Sequence, residues 1–437
     1  MPNLDSDGFA PYEAYQSEVR DALWRAMSGK DVDVREFESH LDGLAYLRLR
    51  QTVSLAHRRT FGTFFTSSAM RKRLVAPYLE VVRGGARVVD PACGAGDLLL
   101  AAMSLLPDEW SPSQRAEHVR RNFFGHDILP VMADVTKERV RLSLTLAGWN
   151  AIDIDIPGIS AGDGLGKQTY LGDADLILVN PPYALAPIPP EHTWGAGRAS
   201  SAAPFLIEVI ERCKRGAQVA AVLPDVLRSG VRYSRWRSHV AEIADITSVE
   251  QQGMFDQWTD IDVFIVRLTV GASNSQVPQV RNDSWAMASV LEPRATLSDL
   301  AEIAVGDVVP HRDLCEGPEV PYLTVSSVPV GQNVSTAPRR RYAGRLHRAP
   351  FIAIRRTSAP TRGSGARVLA SIIDESMGRV AVENHLIVVT PKDQSMEACQ
   401  SLMRRLKDPQ VTEWLDQHLG TRHLSKGVLG RLPLSGL

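Results

Sequence analysis

The feature that most constrains this fold is an alternation that begins near residue 61, where short β-branched runs are separated by longer stretches with helical spacing. Such alternation is typical of parallel strands joined by crossover helices. The last two predicted strands are too close in sequence for a helix between them, so we expect an antiparallel pair that completes an otherwise parallel sheet. The seven predicted strands are residues 87–90, 122–127, 152–156, 175–180, 217–223, 246–251 and 262–268.

The segments on either side of this α/β region have different patterns. Residues 1–60 have helical spacing and are predicted to form an N-terminal extension. Residues 61–275 form the predicted α/β domain, and residues 276–296 lose the pattern and are interpreted as a linker. Residues 297–437 combine short strands with Gly/Pro-rich turns and a terminal helical piece, which predicts a second domain of the α+β class. A chain of 437 residues is consistent with two or three domains.

Composition excludes several classes of protein. The four cysteines are scattered, with no spacing typical of a zinc site or a disulfide framework, so we expect no metal. The first residues do not resemble a signal peptide, and no apolar run is long enough to cross a bilayer. We therefore expect a cytoplasmic protein that does not bind a membrane.

Acidic residues follow three successive strands, and the first strand runs into a glycine-rich turn with Gly94 and Gly96. Such a turn lets backbone N–H groups approach a ligand at a helix N-terminus. Asp90 beside it could hold an amino group, Asp127 could accept both hydroxyls of a ribose, and Asp163 could accept from an adenine amino group. Each aspartate alone is more often a strand-end or turn residue, but three in register favour a ligand with all these groups.

DPACGAG, GHDI, GDGL and NPPY resemble the ordered motifs of class I S-adenosylmethionine-dependent methyltransferases, specifically the N6-adenine DNA methyltransferases of restriction-modification systems. The resemblance covers about residues 60–270, including GTFFTSS at 62–68. It departs from the pattern where Asp127 replaces a common Glu and follows Asp90 by 37 positions. It implies S-adenosylmethionine as cofactor, a class I methyltransferase fold, and cofactor contacts from Phe65, Thr66, Asp90, Ala92, Gly94, Gly96, Asp127, Ile128, Asp163 and Asn180.

The most specific motif is Asn180-Pro181-Pro182-Tyr183, at the end of the fourth strand. The N6 amino group of adenine is a poor nucleophile because its lone pair is delocalised into the ring. The Asn180 side-chain oxygen and the Pro181 carbonyl can accept its hydrogens and shift the nitrogen toward tetrahedral geometry. A rigid Pro-Pro pair holds both acceptors, and the Tyr183 ring can stack on the target base, a contact worth roughly 1–3 kcal/mol.

An adenine must leave the duplex to reach such a site. By resemblance, a second aromatic face comes from the loop between the last two strands, where Phe255 matches and Trp258 competes. Core packing is as good an interpretation of either ring as stacking. Asp225 and Arg228 could contact DNA or cap a helix.

The C-terminal third has 18 basic and 13 acidic residues, and residues 320–373 contain no Asp or Glu. An arginine-rich stretch of this kind favours phosphate contacts, although a solvated charged face fits it equally well. LSDLAEIAVGDVV, PYLTVSSV, FIAIRRTS and HLSKGVLGRLPL resemble half of a type I restriction specificity subunit, which implies a target-recognition domain in the gamma arrangement. The predicted DNA-binding residues are Arg339, Arg340, Arg341, Arg355, Arg356 and Arg362.

Together, the motifs imply a site-specific adenine methyltransferase that acts on double-stranded DNA in a restriction-modification or defence system, with any restriction endonuclease on a separate chain. Two alternatives stay open. One is an RNA or protein-glutamine methyltransferase, because NPPY serves other planar acceptors. The other is a non-catalytic or partner-dependent DNA-binding subunit with the same fold.

Overall fold

The computed structural model describes residues 6–28, 34–150, 154–166, 170–190, 194–256, 259–271, 285, 295–357, 366–419 and 423–434. The chain divides into two compact units, Met1–Trp285 and Ala286–Leu437. Within the described residues, no helix is both long and apolar enough to cross a membrane.

The first unit begins with helices that we call the helical extension (residues 6–28 and 34–61). A 3-10 helix, Ser6–Tyr12, precedes α1 (Glu13–Ser28), α2 (Val34–Leu41), α3 (Leu44–Thr52) and α4 (Leu55–Phe61). The buried side chains of α1, among them Tyr15 and Val19, share an apolar core with Met132 and Val135 of a later helix. The extension therefore buries its apolar face against the α/β part of the same unit.

An α/β arrangement follows. Its helices are α5 (Ser68–Val75), α6 (Leu79–Arg83), α7 (Asp97–Met103), α8 (Pro112–Asn122), α9 (Pro130–Leu146), α10 (Ala202–Arg212), α11 (Asp225–Ser229) and α12 (Ser234–Ile243). Its strands are β1 (Val88–Asp90), β2 (Phe123–Asp127), β3 (Ile159–Ala161), β4 (Leu176–Val179), β5 (Leu185–Pro187), β6 (Arg198–Ser200), β7 (Gln218–Pro224), β8 (Ala244–Asp256) and β9 (Thr259–Val270).

Seven of these strands form one sheet in the order β3-β2-β1-β4-β7-β9-β8. The pairs from β3 to β7 are parallel, whereas β9 is antiparallel to both β7 and β8. The predicted mostly parallel sheet with its closing antiparallel pair is confirmed. Because the strands from β3 to β7 run in one direction, their carboxyl ends meet at one edge, where ligands bind in open α/β sheets.

The predicted third strand, 152–156, is wrong in position. Residues 154–156 form no strand, residues 151–153 lie outside the described part of the chain, and β3 starts at Ile159. Ile156, one of the apolar residues on which the predicted strand was based, is buried although it lies in no strand. The register is set by the turn that follows it, where the Gly158 carbonyl accepts from the Gly125 N–H at 2.9 Å. A Cβ at Gly158 would lie 2.3 Å from the Phe123 carbonyl oxygen, so glycine permits this close approach.

The described residues of the second unit form two sheets and four α-helices. One sheet has the order β10-β18-β15-β16-β12 and the other β13-β11-β17-β14. The helices are α13 (Leu297–Leu300), α14 (Met396–Leu406), α15 (Pro409–His418) and α16 (Lys426–Gly430). The strands are β10 (Ala301–Val305), β11 (Glu319–Leu323), β12 (Asn333–Val334), β13 (Arg339–Arg341), β14 (His347–Arg348), β15 (Phe351–Arg355), β16 (Ala370–Ile373), β17 (Arg379–Val382) and β18 (Leu386–Pro391).

Candidate functional site

The turn after β1, which we call the glycine turn (residues 91–97), has two glycines in left-handed conformations. Gly94 has φ +53° and Gly96 has φ +86°. A Cβ at Gly96 would lie 2.7 Å from a methyl carbon of Thr136, so this position has room only for glycine. The Thr136 hydroxyl also donates to the Gly94 carbonyl at 2.8 Å. The turn is therefore held closely against α9 before α7 begins.

Two predicted cofactor carboxylates lie at this turn. Asp90 is 1% exposed, and within the described residues it accepts one hydrogen bond, from the Ala92 N–H at 3.1 Å. Burial raises the pKa of Asp90 well above its ordinary value, because the ionised carboxylate is poorly solvated there. A cationic partner would stabilise the ionised form in this buried position. Asp127 accepts from the N–H groups of Gly94 and Leu129, both at 2.9 Å, and burial raises its pKa to about 6.

The same edge holds two further predicted residues. Ile128, directly after Asp127, is 49% exposed, an uncovered apolar side chain beside polar groups. Asp163 is exposed and accepts from the Leu165 N–H at 3.0 Å. Its neighbour Gly164 packs on the glycine turn, because a Cβ there would lie 1.8 Å from the Pro91 carbonyl oxygen. The loop after β3 and the glycine turn therefore touch.

Asn180 follows β4 and has its carboxamide fixed in one orientation. Its Nδ2 donates to the Phe64 carbonyl at 2.9 Å and to the Thr66 hydroxyl oxygen at 3.1 Å. A carbonyl oxygen only accepts, so this pairing decides which end of the amide is nitrogen. The remaining Oδ1 is buried and makes no hydrogen bond within the described residues. An unpaired buried acceptor is unfavourable, so its presence calls for an explanation.

The rest of the motif is held by contacts from distant segments. Among the hydrogen bonds of the described residues, none ends on the Pro181 carbonyl, whereas the Pro182 carbonyl accepts from the Ser201 hydroxyl at 2.6 Å. The Tyr183 hydroxyl donates to the Val222 carbonyl at 3.0 Å, and burial raises the pKa of this tyrosine well above its ordinary value. Gly62 packs on the other side, since a Cβ there would lie 2.7 Å from the Tyr183 nitrogen.

Three aromatic rings gather beside Asn180. Tyr183 contacts Phe64 with nearly parallel planes at a centroid distance of 6.5 Å, and Phe255 edge-on at 6.0 Å. Phe64 and Phe255 also meet edge-on at 6.4 Å. Phe255 is 2% exposed and belongs to the core as well as to this cluster, and its competitor Trp258 lies outside the described residues.

Phe64 is a residue that the sequence interpretation missed, although it lies within the GTFFTSS segment. This segment reaches two parts of the site. Phe64 and Thr66 anchor Asn180, while Phe65 lies over the glycine turn, with a ring carbon 3.2 Å from where a Cβ of Gly94 would be. The signal that could have revealed Phe64 was the pair of adjacent aromatics, whose side chains diverge in an extended segment.

Asp225 and Arg228 form a buried bidentate pair, with Nε to Oδ1 at 2.6 Å and Nη2 to Oδ2 at 3.0 Å. Their side chains are 1% and 3% exposed, so neither presents its charge at the surface. The pair stabilises the start of α11, where Ser229 also donates to the Asp225 carbonyl at 3.4 Å.

The predicted DNA-binding arginines of the second unit do not all share one environment. Arg339 and Arg341 are exposed on β13, at the edge of its sheet, and each donates to one backbone carbonyl. Arg340, between them, is half-buried over the Tyr322 ring. Arg355 and Arg356, from the other sheet, are half-buried and donate to the carbonyls of Val328 and Asn384. Arg362 lies outside the described residues.

Comparison with known proteins gives one family and several structural likenesses. The model of the family described as N-6 DNA Methylase matches residues 39–276. No curated protein matches the chain. The type IIG restriction endonuclease BpuSI is 13% identical with a TM-score of 0.46, over 86% of this chain and 59% of its own. The chain thus spans less than two thirds of that protein.

Two type I restriction proteins are also similar. The EcoKI M protein is 16% identical with a TM-score of 0.35, over 64% of this chain and 66% of that one. The methyltransferase subunit of a type I restriction-modification system from Streptococcus thermophilus is 20% identical with a TM-score of 0.36, over 48% of this chain and 46% of that one.

The family match covers more than half of the 437 residues and includes the glycine turn, Asp127 and the NPPY motif. The members of this family are S-adenosylmethionine-dependent methyltransferases, and the residues at the sheet edge fit that cofactor. A buried carboxylate suits its amino group, and each oxygen of Asp127 accepts a single N–H within the described residues, which leaves a lone pair for a ribose hydroxyl. The chain belongs to the N-6 DNA methylase family and has the class I methyltransferase fold.

Proposed function

We propose that this chain transfers a methyl group from S-adenosylmethionine to the N6 amino group of an adenine that has left a DNA duplex. The observation that carries the proposal is the Asn180 carboxamide, whose nitrogen is anchored by Phe64 and Thr66 while its oxygen is buried with no hydrogen-bond partner among the described residues. A fixed acceptor of this kind suits an incoming N–H donor, because the hydrogen bond would satisfy an otherwise unpaired polar atom.

The cofactor would be held by residues at the sheet edge. Asp90 would accept from its amino group, Asp127 would accept from its ribose hydroxyls, and Ile128 would pack on its adenine. Asp127 already accepts two N–H groups, one on each oxygen, and each oxygen keeps a lone pair for a hydroxyl. When bound, S-adenosylmethionine supplies an electrophilic methyl group.

The acceptor amino group would be activated without a general base. The oxygens of Asn180 and Pro181 would each accept one amino hydrogen, which draws the lone pair out of conjugation with the ring. Asn180 acts as a preorganised acceptor, because its anchors are already made. Tyr183 would contribute a ring of fixed orientation, since its hydroxyl is held by Val222.

The second unit would recognise the DNA sequence. Arg339 and Arg341 support this assignment, because they are exposed on a strand at the edge of a sheet. Arginine can contact phosphates and read guanine edges. The biological setting that we propose is a restriction-modification or defence system, in which methylation protects the host DNA and a separate chain supplies the endonuclease.

The test is transfer of labelled methyl from S-adenosylmethionine to unmethylated plasmid DNA. We expect transfer by the unmodified protein, and a decrease of roughly 10²–10³-fold in Asn180→Ala, the loss seen when one preorganised transition-state hydrogen bond is removed. The matched control is Asn150→Ala, which changes an exposed asparagine of the same unit and should transfer normally.

Three results would contradict the proposal. Transfer to RNA or protein in preference to DNA would identify another acceptor. Equal transfer by Asn180→Ala and the unmodified protein would remove the role of this side chain. Cofactor binding without any transfer to DNA would indicate a subunit that requires a partner.

A further inference from the structure

The helical extension packs against the glycine turn. Ala95 of the turn shares an apolar core with Tyr15 and Leu49 of the extension. The same core includes Phe65, whose ring meets that of Tyr46 at 5.8 Å, and Leu129, whose N–H donates to Asp127. Three segments that would contact the cofactor are thus backed by the extension.

The guanidinium of one buried arginine bonds both the helical extension and the glycine turn. The Arg139 side chain, on α9, is 0% exposed. Its Nε donates to the His40 carbonyl at 2.7 Å and its Nη2 to the Leu41 carbonyl at 3.3 Å, both at the end of α2. On the other side, Nη1 donates to the Ala95 carbonyl of the glycine turn, and Nη2 to Asp97 Oδ1 at 2.9 Å.

A second arginine repeats the connection. Arg71 Nη1 donates to Asp97 Oδ1 at 3.0 Å, while its Nη2 bonds the Leu41 carbonyl at 3.4 Å and the carboxylate of Asp42. Asp97, the first residue of α7, therefore accepts from two buried arginines that also hold the extension. Buried ionic groups are retained at low cost only when each has partners, so the cluster depends on the extension being in place.

From these contacts we infer that the helical extension is part of the methyl-donor site, with Arg139 as the positioning residue that transmits its effect to the glycine turn. The inference rests on the proposed cofactor site. A turn with two left-handed glycines has many alternative conformations, and ordering it only on binding would weaken affinity. The contacts from Arg139 and Asp97 order the turn beforehand. Because coupling between sites is reciprocal, cofactor binding must in turn stabilise the extension.

The first experiment compares Arg139→Lys with Arg237→Lys by titrating S-adenosylmethionine into each protein without DNA. Lysine keeps the charge but cannot span four acceptors. Arg237 is the matched control, because it is equally buried and donates to the carbonyls of Leu227 and Gly230. We expect the dissociation constant to rise about tenfold in Arg139→Lys, within the usual range for coupled sites, and less than about twofold in Arg237→Lys.

The outcomes separate the two proposals. If the unmodified protein binds S-adenosylmethionine and Arg139→Lys binds it equally well, the role of the extension is disproved and the proposed function stands. If the unmodified protein does not bind S-adenosylmethionine, the proposed function itself fails.

A second experiment uses only the unmodified protein, so it tests the inference even if Arg139→Lys does not fold. Hydrogen exchange of the unmodified protein is measured with and without S-adenosylhomocysteine. We expect at least about twofold slower exchange at the amides of α2 and α3, although neither helix supplies a predicted cofactor contact. Unchanged exchange in both helices, with protection at residues 91–97, would overturn the inference.

Discussion

The two units differ in how the position of a residue in the sequence relates to its position in the fold. In the first unit, Asp90, Asp127 and Asn180 are far apart in sequence but follow parallel strands, so the topology brings them to one edge. In the second unit, arginines close in sequence are distributed over two sheets and over both faces of β13. Clustering in sequence therefore indicates a site only where the topology makes the residues converge.

The half-buried arginines of the second unit provide the largest expected effect on stability. Both Arg355 and Arg341 donate to a backbone carbonyl, but Arg355 is half-buried, whereas Arg341 lies exposed on an edge strand, where water competes for the bond. We expect Arg355→Met to lower the free energy of local unfolding by about 1.5–3 kcal/mol, the range for a hydrogen bond to a charged group. Arg341→Met should lower it by less than about 0.5 kcal/mol.

Hydrogen exchange of the β15 and β18 amides measures the effect of Arg355→Met, and exchange of the β11 and β13 amides measures that of Arg341→Met. Equal effects of the two substitutions would break the distinction between structural and surface arginines. A larger effect of Arg341→Met would reverse it.

A second prediction concerns pH and the first unit. Asp127 has a raised pKa of about 6, so it is mostly protonated at pH 5 and ionised at pH 7. The ionised form accepts more strongly from hydroxyls, so we expect S-adenosylmethionine to bind up to about tenfold more tightly at pH 7 than at pH 5. Calorimetric titration across this range measures the change, and Asp127→Asn should lack the step near pH 6.

The raised pKa of Asp127 also predicts how the stability of the folded protein changes with pH. A raised pKa stabilises the protonated folded protein, and this contribution is lost as pH rises from the ordinary aspartate value of 3.8 through about 6. Affinity and this part of stability should therefore change in opposite directions. An association constant for S-adenosylmethionine that falls between pH 5 and pH 7 would contradict the assignment of Asp127 to the ribose.

The smallest expected effect tests how Asn180 is held. Thr66→Val removes one of the two acceptors of the Asn180 amide and keeps the shape of the side chain. Losing one such hydrogen bond costs about 1 kcal/mol, so we expect methyl transfer to DNA to slow about fivefold at saturating cofactor. Thr63→Val, in the same segment, is the control and should transfer at the normal rate. A slower Thr63→Val would mean that the segment as a whole, not the hydrogen bond, sets the rate.

Much of the first unit could be predicted from sequence because periodicity fixes the elements and parallel topology fixes which ends meet. The predicted position of β3 was wrong, because the turn at Gly158, and not the apolar alternation, sets the register of this strand. Ser201 and Val222 could not be assigned, because each contacts the NPPY motif from a distant segment. Arg139 was equally hidden, as a buried arginine in a helix has no local signature.

In the second unit, the sequence predicted the α+β composition but could not separate exposed arginines from half-buried ones. That separation depends on where each side chain points once strands pair. Arg340 and Arg341 are adjacent in sequence, yet one lies over Tyr322 and the other is exposed. Period-two alternation places them on opposite faces, but no local signal tells which face is covered.

We propose that the methyl acceptor positioned by Asn180 is the N6 amino group of adenine in DNA. The most direct test is to digest the methylated plasmid to nucleosides and identify by mass spectrometry which nucleoside carries the label. We expect N6-methyladenine, which disappears from the product of Asn180→Ala and persists in that of Asn150→Ala. Label on another nucleoside, or N6-methyladenine that persists in Asn180→Ala, would contradict it.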